Sequence, residues 1–152
     1  MNFEEFLNRH EINIVQQKDA LDNDIWQINP NDLLKTCEFL KTERLFNYEM
    51  LLAVIGLDCF DHFEILYSFY SVKNNKKLFL KTILPKEHPY IESLCGLYSS
   101  ANWHERECFD LLGINFLNHP KMERILMPKD WIGHPLLKDY KEEDERLSWN
   151  RR

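Results

Sequence analysis

Phe3, Phe6 and Leu7 fall at i, i+3 and i+4, the spacing of one face of a short amphipathic helix. Ile12–Val15 and Ile25–Ile28 are β-branched or aromatic runs separated by the polar stretch DALDND, which predicts two short strands. Asn29-Pro30-Asn31-Asp32 supplies capping side chains and a proline suited to a first helical turn. Leu33, Leu34, Cys37 and Leu40 then keep helical spacing to about Lys41. From Phe46 the period shortens to two. Met50–Leu57, His62–Val72 and Lys77–Leu84 predict three strands, with Phe63, Ile65, Tyr67 and Phe69 on one face of the second. The turns between them are DCFD and KNNK, whose asparagines tolerate positive φ, so the three strands read as an antiparallel meander.

Pro85 and Pro89 bracket a break, after which Tyr90–Tyr98 and Asn102–Leu112 predict two further helices. Gly113 stands where a helix C-terminus favours glycine. Beyond Leu117 the periodicity dissolves, and Pro120, Pro128, Gly133 and Pro135 punctuate the rest. That segment still carries Ile125, Leu126, Met127, Trp131, Ile132, Leu136, Leu137 and Trp149. Disordered chain is poor in such residues, so a docking role is expected for it. The reading is an α+β, two-layer single domain with an antiparallel or mixed sheet and helices on one face. Residues 1–117 form its body and residues 118–152 an extended C-terminal docking tail. No internal repeat or low-complexity segment interrupts it.

A length of 152 residues with 44% hydrophobic and 13% aromatic residues suits one packed core. The net charge of -6 disfavours a dedicated nucleic-acid binder, which needs a basic face against phosphate. The longest apolar run, MLLAVIGL, ends at Asp58, short of the roughly 18–20 residues that span a bilayer. The opening MNFEEFLNRH lacks the basic and apolar regions of a secretory signal, so a cytoplasmic location is expected. Cys37, Cys59, Cys95 and Cys108 form no C-x-x-C pair, and they read as reduced, mostly buried thiols.

Candidate chemistry concentrates in ANWHERECFD. His104 and Cys108 at i, i+4 with Glu105 between them are the one metal-like pattern, and they support a remote alternative, a metal-dependent hydrolase. A cysteine stands where a zincin has its second histidine, and no third ligand follows at a telling distance. Glu105 and Glu107 point about 200° apart on a helix, which excludes a carboxylate dyad. Arg106 and Asp110 at i, i+4 can pair along the surface, and one carboxylate is expected to face a partly buried environment. A structural network of salt bridges and caps outweighs both catalytic readings. The four glycines are unclustered, so no phosphate loop is present. The pairs His119-Pro120 and His134-Pro135 read as turn elements. Trp103, Trp131 and Phe116 read as core or interface.

The ordered motifs from Trp103 to Tyr140 are Glu105-Arg106-Glu107, Asp110-Leu111-Leu112-Gly113-Ile114, Phe116, His119-Pro120, Arg124-Ile125-Leu126, Trp131, Gly133-His134-Pro135-Leu136 and Lys138-Asp139-Tyr140. Together they resemble the C-terminal signature of the 30 kDa subunit of NADH:quinone oxidoreductase (respiratory complex I). Relatives of that family occur in energy-converting hydrogenase and F420H2 dehydrogenase complexes. Three departures stand out. Asn118 replaces the usual glycine before His-Pro, Lys121-Met122-Glu123 is less basic than usual, and Leu137 stands where arginine is usual.

The resemblance implies a non-redox subunit of the hydrophilic arm, peripheral on the cytoplasmic side of the inner membrane and touching it only through the complex. Its implied neighbours are the large catalytic (49 kDa-like) subunit that shapes the quinone site and adjacent iron–sulfur subunits. Iron–sulfur clusters, quinone and an optional FMN would sit on those other subunits, and this chain would bind no cofactor. Its implied structural and interface residues are Glu105, Arg106, Glu107, Asp110, Gly113, His119, Pro120, Arg124, Trp131, Gly133, His134, Pro135, Lys138, Asp139 and Tyr140. The hydrogenase and F420H2 branches remain as the alternative.

Overall fold

The computed structural model describes residues 3–19 and 22–141; Trp149 lies outside them. Helix α1 (Phe3–Arg9) buries Phe6 and Leu7. Strands β1 (Ile14–Lys18) and β2 (Asp24–Ile28) follow. A 3-10 turn, Pro30–Asp32, is capped by the Asn29 side chain accepting from the Asn31 N–H, and it leads into α2 (Leu33–Thr42). Then come β3 (Met50–Asp58), β4 (His62–Ser71) and β5 (Lys76–Pro85). Strand β6 (Tyr90–Glu92), helix α3 (Ala101–Leu112) and strand β7 (Asn115–Leu117) complete the regular structure of the described residues.

The main sheet has the order β1-β2-β5-β4-β3. The meander β3-β4-β5 is antiparallel as the alternation predicts, but β2 pairs β5 in parallel, with Trp26 opposite Leu80. The sheet is therefore mixed. Strand β4 alternates strictly, burying Phe63, Ile65, Tyr67 and Phe69. These inward residues join Leu33, Cys37 and Leu40 of α2 and Ala101, Cys108 and Leu112 of α3 in one core. The outward face of the sheet is left half open, with Ile55 and Leu57 of β3 each 47% exposed.

Two sequence expectations change. Ile12 is buried but precedes β1, because its N–H closes the end of α1 on the Leu7 carbonyl. The helix expected over Tyr90–Tyr98 is instead β6 followed by a turn. Tyr90–Glu92 pairs in parallel with Asn115–Leu117. With Tyr90–Glu92 held in that pairing, only one turn closes after Ser93, the Tyr98 N–H donating to Leu94 O at 2.8 Å.

Residues 118–141 run without regular structure against the body. The Leu136 N–H donates to Leu111 O at 2.9 Å, and Leu137 packs on the core. Among the described residues, the last regular element ends at Leu117.

Candidate functional site

Helix α3 carries the sequence-predicted residues and divides them by face. Glu105, Cys108 and Asp110 point inward, whereas Trp103 and Glu107 are exposed. Gly113 ends the helix at φ 77, and its N–H bonds Phe109 O. A Cβ on Gly113 would lie 2.8 Å from the His134 ring, so glycine there serves both the turn and a close approach.

Asp110 is the centre of the arrangement. One of its carboxylate oxygens, Oδ2, accepts from the backbone N–H groups of Ile125, Leu126 and Met127 at 2.9, 2.7 and 2.9 Å. The other accepts from Arg124 Nη1 at 2.6 Å. Burial would raise the carboxyl's pKa, but those three N–H groups and the guanidinium outweigh it and hold the group below its ordinary value. Arg124 also donates to the carbonyls of Asp110 and Gly133, and His134 Nδ1 meets Asp110 O at 2.9 Å.

The expected Arg106–Asp110 pair does not form. Arg106 reaches the carbonyls of Glu123 and Arg124 instead, at 3.0 and 3.3 Å. Its guanidinium stands 6.0 Å from the Trp103 ring centroid. Asp110 faces into the fold, where a surface arginine one turn earlier cannot follow.

Glu105 is fully buried and accepts from the Leu94 N–H at 2.7 Å, the Ser93 hydroxyl at 2.6 Å and the Cys95 thiol at 3.4 Å. Burial raises its pKa, and the donors from Ser93, Leu94 and Cys95 oppose that only in part. His119 Nε2 lies 4.0 Å away, so Cys95, Glu105 and His119 converge. His119 Nδ1 accepts from the Lys121 N–H at 3.0 Å, which places the ring proton on Nε2, facing Asn102 O at 3.2 Å. A histidine nitrogen carrying a proton is not a metal ligand, and the geometry fits a capping network. His104, Glu105 and Cys108 do not share a point. His104 and Cys108 line a cleft of about 290 Å³ between β3 and α3, while Glu105 faces Ser93. The Cys108 thiol is spent on Val54 O at 3.7 Å. The hydrolase alternative is thereby overturned.

The remaining predicted residues stitch the tail down. Gly133, at φ 81, lets the Tyr140 ring approach, and Tyr140 Oη donates to Ile132 O at 3.4 Å. Trp131 closes a turn on Pro128 O. Pro120 is exposed, Pro135 is partly buried beside His134, and Asp139 lies exposed at a cleft shared with Lys86 and His134. The Lys138 N–H donates to Asp58 Oδ2 at 3.0 Å, and its ammonium stands 4.0 Å from the Phe60 ring centroid. Asp58 was legible only as a turn residue, yet it also accepts from Phe60 N–H and pairs Lys86 at 2.7 Å. Burial raises its pKa, but these partners bring it down to about 2.

Residues 26–146 match the family described as the respiratory-chain NADH dehydrogenase, 30 Kd subunit. The chain belongs to this family. It is 40% identical over 116 residues to a NADH-quinone oxidoreductase subunit of Geotalea uraniireducens, covering 74% of this chain and 70% of that one. Against the C/D subunit of the NADH-quinone oxidoreductase of Buchnera aphidicola (Cinara cedri) it is 40% identical over 138 residues, 84% of this chain but only 24% of the relative. Among solved structures it is similar to a trypsin-resistant fragment of Nqo5, with a TM-score of 0.66, 23% identity, and 77% and 94% of the two chains covered. A chain of the archaeal membrane-bound sulfane sulfur reductase gives a TM-score of 0.76 at 16% identity, over 97% and 88%. These two likenesses concern the fold.

Two departures from the 30 kDa pattern acquire a physical reason. Asn118, in place of the family's usual glycine, has φ 60, a region asparagine tolerates better than other side chains. Leu137, in place of arginine, is partly buried against the core, where an aliphatic side chain is at home. Among the described residues no helix is long and apolar enough to cross a membrane.

Proposed function

We propose that this chain is a cofactor-free accessory subunit of an NADH:quinone oxidoreductase, peripheral on the cytoplasmic side of the membrane. It packs there against the large catalytic subunit that shapes the quinone site. Iron–sulfur clusters, quinone and flavin belong to other subunits in this reading. The observation that carries it is the division of labour in the signature segment. Its buried carboxylates, Glu105 and Asp110, are spent on anchoring, while Trp103, Leu126, Ile132 and Leu136 remain 68%, 59%, 80% and 57% exposed. Apolar side chains held outward on an anchored loop suit an interface. The sequence relatives named for NADH-quinone oxidoreductase favour this branch over the hydrogenase and F420H2 ones.

The test is co-purification of the full chain with the large subunit after Ile132→Asp and Leu136→Asp together. Loss of retention with unchanged circular dichroism and melting supports the interface. Retention at full stoichiometry overturns it.

A further inference from the structure

The β3–β4 hairpin holds a cluster that the anchoring network does not use. Cys59, His62 and Glu64 each offer a ligand atom, and the three lie within 4.8 Å of one another. We infer that Cys59, His62 and Glu64 form a binding site for a zinc-like divalent cation, with Asp61 orienting the histidine.

The hairpin register builds the cluster. The Cys59 N–H donates to His62 O at 2.9 Å, which closes the turn and sets the thiol beside the imidazole. His62 and Glu64 are two apart on β4 and so share the outward face of the sheet. His62 Nε2 and Glu64 Oε1 are 3.7 Å apart. Zinc bonds of roughly 2.0–2.2 Å to nitrogen and oxygen at tetrahedral angles separate such ligand atoms by about 3.3–3.5 Å, so the pair stands a few tenths of an ångström from ligand spacing.

Asp61 supplies what the Cys95–Glu105–His119 cluster lacks. Its carboxylate meets His62 Nδ1 at 2.7 Å, and because a carboxylate only accepts, that nitrogen carries the proton. The lone pair of the neutral ring then lies on Nε2, toward Glu64. A carboxylate–histidine–metal order of this kind fixes both tautomer and ring direction. One thiolate, one imidazole and one carboxylate are borderline donors suited to zinc or cobalt, and a water would complete four-coordination. On binding, the Cys59 thiol releases its proton to solvent and a metal–sulfur bond forms. Lys81 is the built-in competitor, since its ammonium already bonds Glu64 Oε1 at 3.0 Å.

Cobalt(II) chloride titrated into the reduced full-length chain under anaerobic conditions tests the assignment. The expected result is a saturable thiolate-to-cobalt charge-transfer band with visible bands of four-coordinate metal, displaced by zinc. Cys59→Ser should abolish the charge-transfer band, and Asp61→Asn should weaken affinity about 10–100-fold. Lys81→Met should tighten it by freeing Glu64, an effect no purely structural role of the hairpin explains. Circular dichroism of each variant checks that the fold is kept. No saturable band overturns the proposal. So does a band that survives Cys59→Ser and is lost in Cys95→Ser.

Discussion

Asp110 and Arg124 meet at 2.6 Å across 14 residues of sequence, with the aspartate fully buried and the arginine side chain 15% exposed. The same carboxylate stops three successive backbone N–H groups, at Ile125, Leu126 and Met127. Asp110→Ala should therefore destabilise the full chain by about 3–5 kcal/mol, the cost of leaving a paired buried group without its partner. Asp110→Asn, which keeps one acceptor but loses the charge, should fall between it and the parent. Urea unfolding of the three proteins measures both.

Acid should loosen the tail first. Asp58 and Asp110 both have pKa values held below the ordinary 3.8, Asp58 at about 2. A depressed carboxylate contributes stability above its unfolded value and loses it as pH falls through the folded one. Melting temperature should thus drop below pH 3.8 and continue to fall toward pH 2. Amide exchange at Lys138 and Leu126 should accelerate before exchange in the β4 ladder does.

Glu105 has the opposite sign. Its pKa is raised from 4.5 by burial, so its contribution is fully present below 4.5 and is lost as pH rises through the raised value. Glu105→Gln should flatten that decline, because the amide carbonyl still accepts from the Leu94 N–H and nothing remains to ionise. Glu105→Ala orphans the Leu94 N–H and the Ser93 hydroxyl and should cost about 1–3 kcal/mol for each. Thermal unfolding of the parent and both variants from acid to mildly alkaline pH separates the cases.

Stability and assembly should come apart at neighbouring positions. Glu107 is exposed, and Glu107→Ala should change the unfolding free energy by less than about 0.5 kcal/mol. Arg106→Ala removes two bonds to backbone carbonyls and the contact with Trp103, so it should cost about 1–3 kcal/mol. If Glu107 lies at an interface within the complex, its variant will melt normally yet be under-represented in the purified assembly.

The meander and α3 were legible because their periods are clean. Strand β4 alternates without exception, and α3 stops at a glycine. The region Tyr90–Tyr98 misled for a definite reason. Ile91, Leu94, Cys95 and Tyr98 follow helical spacing, yet Asn115–Leu117, which lie beyond them in sequence, take Tyr90–Glu92 as a strand partner. The parallel β2–β5 pairing was equally out of reach, since Trp26 and Leu80 meet across α2 and two strands. At the site, sequence spacing brought the right residues forward but paired Asp110 with Arg106 where the structure pairs it with Arg124. Local offsets say which side chains can touch along a helix; they are silent about an irregular segment that returns to it. Asp58 was hidden for the same reason.

The tie between Asp58 and Lys138 spans 80 residues. At about 5–20 residues per second, ribosomal synthesis takes roughly 4–16 s to supply the second partner after the first. From residue 85 onward every strand of the meander has been made, yet the end of the β3–β4 hairpin still lacks its closing strap. A nascent chain of this protein is therefore most open at the hairpin tip, and a chaperone or an assembly factor arriving during translation would find that tip before the signature segment covers it.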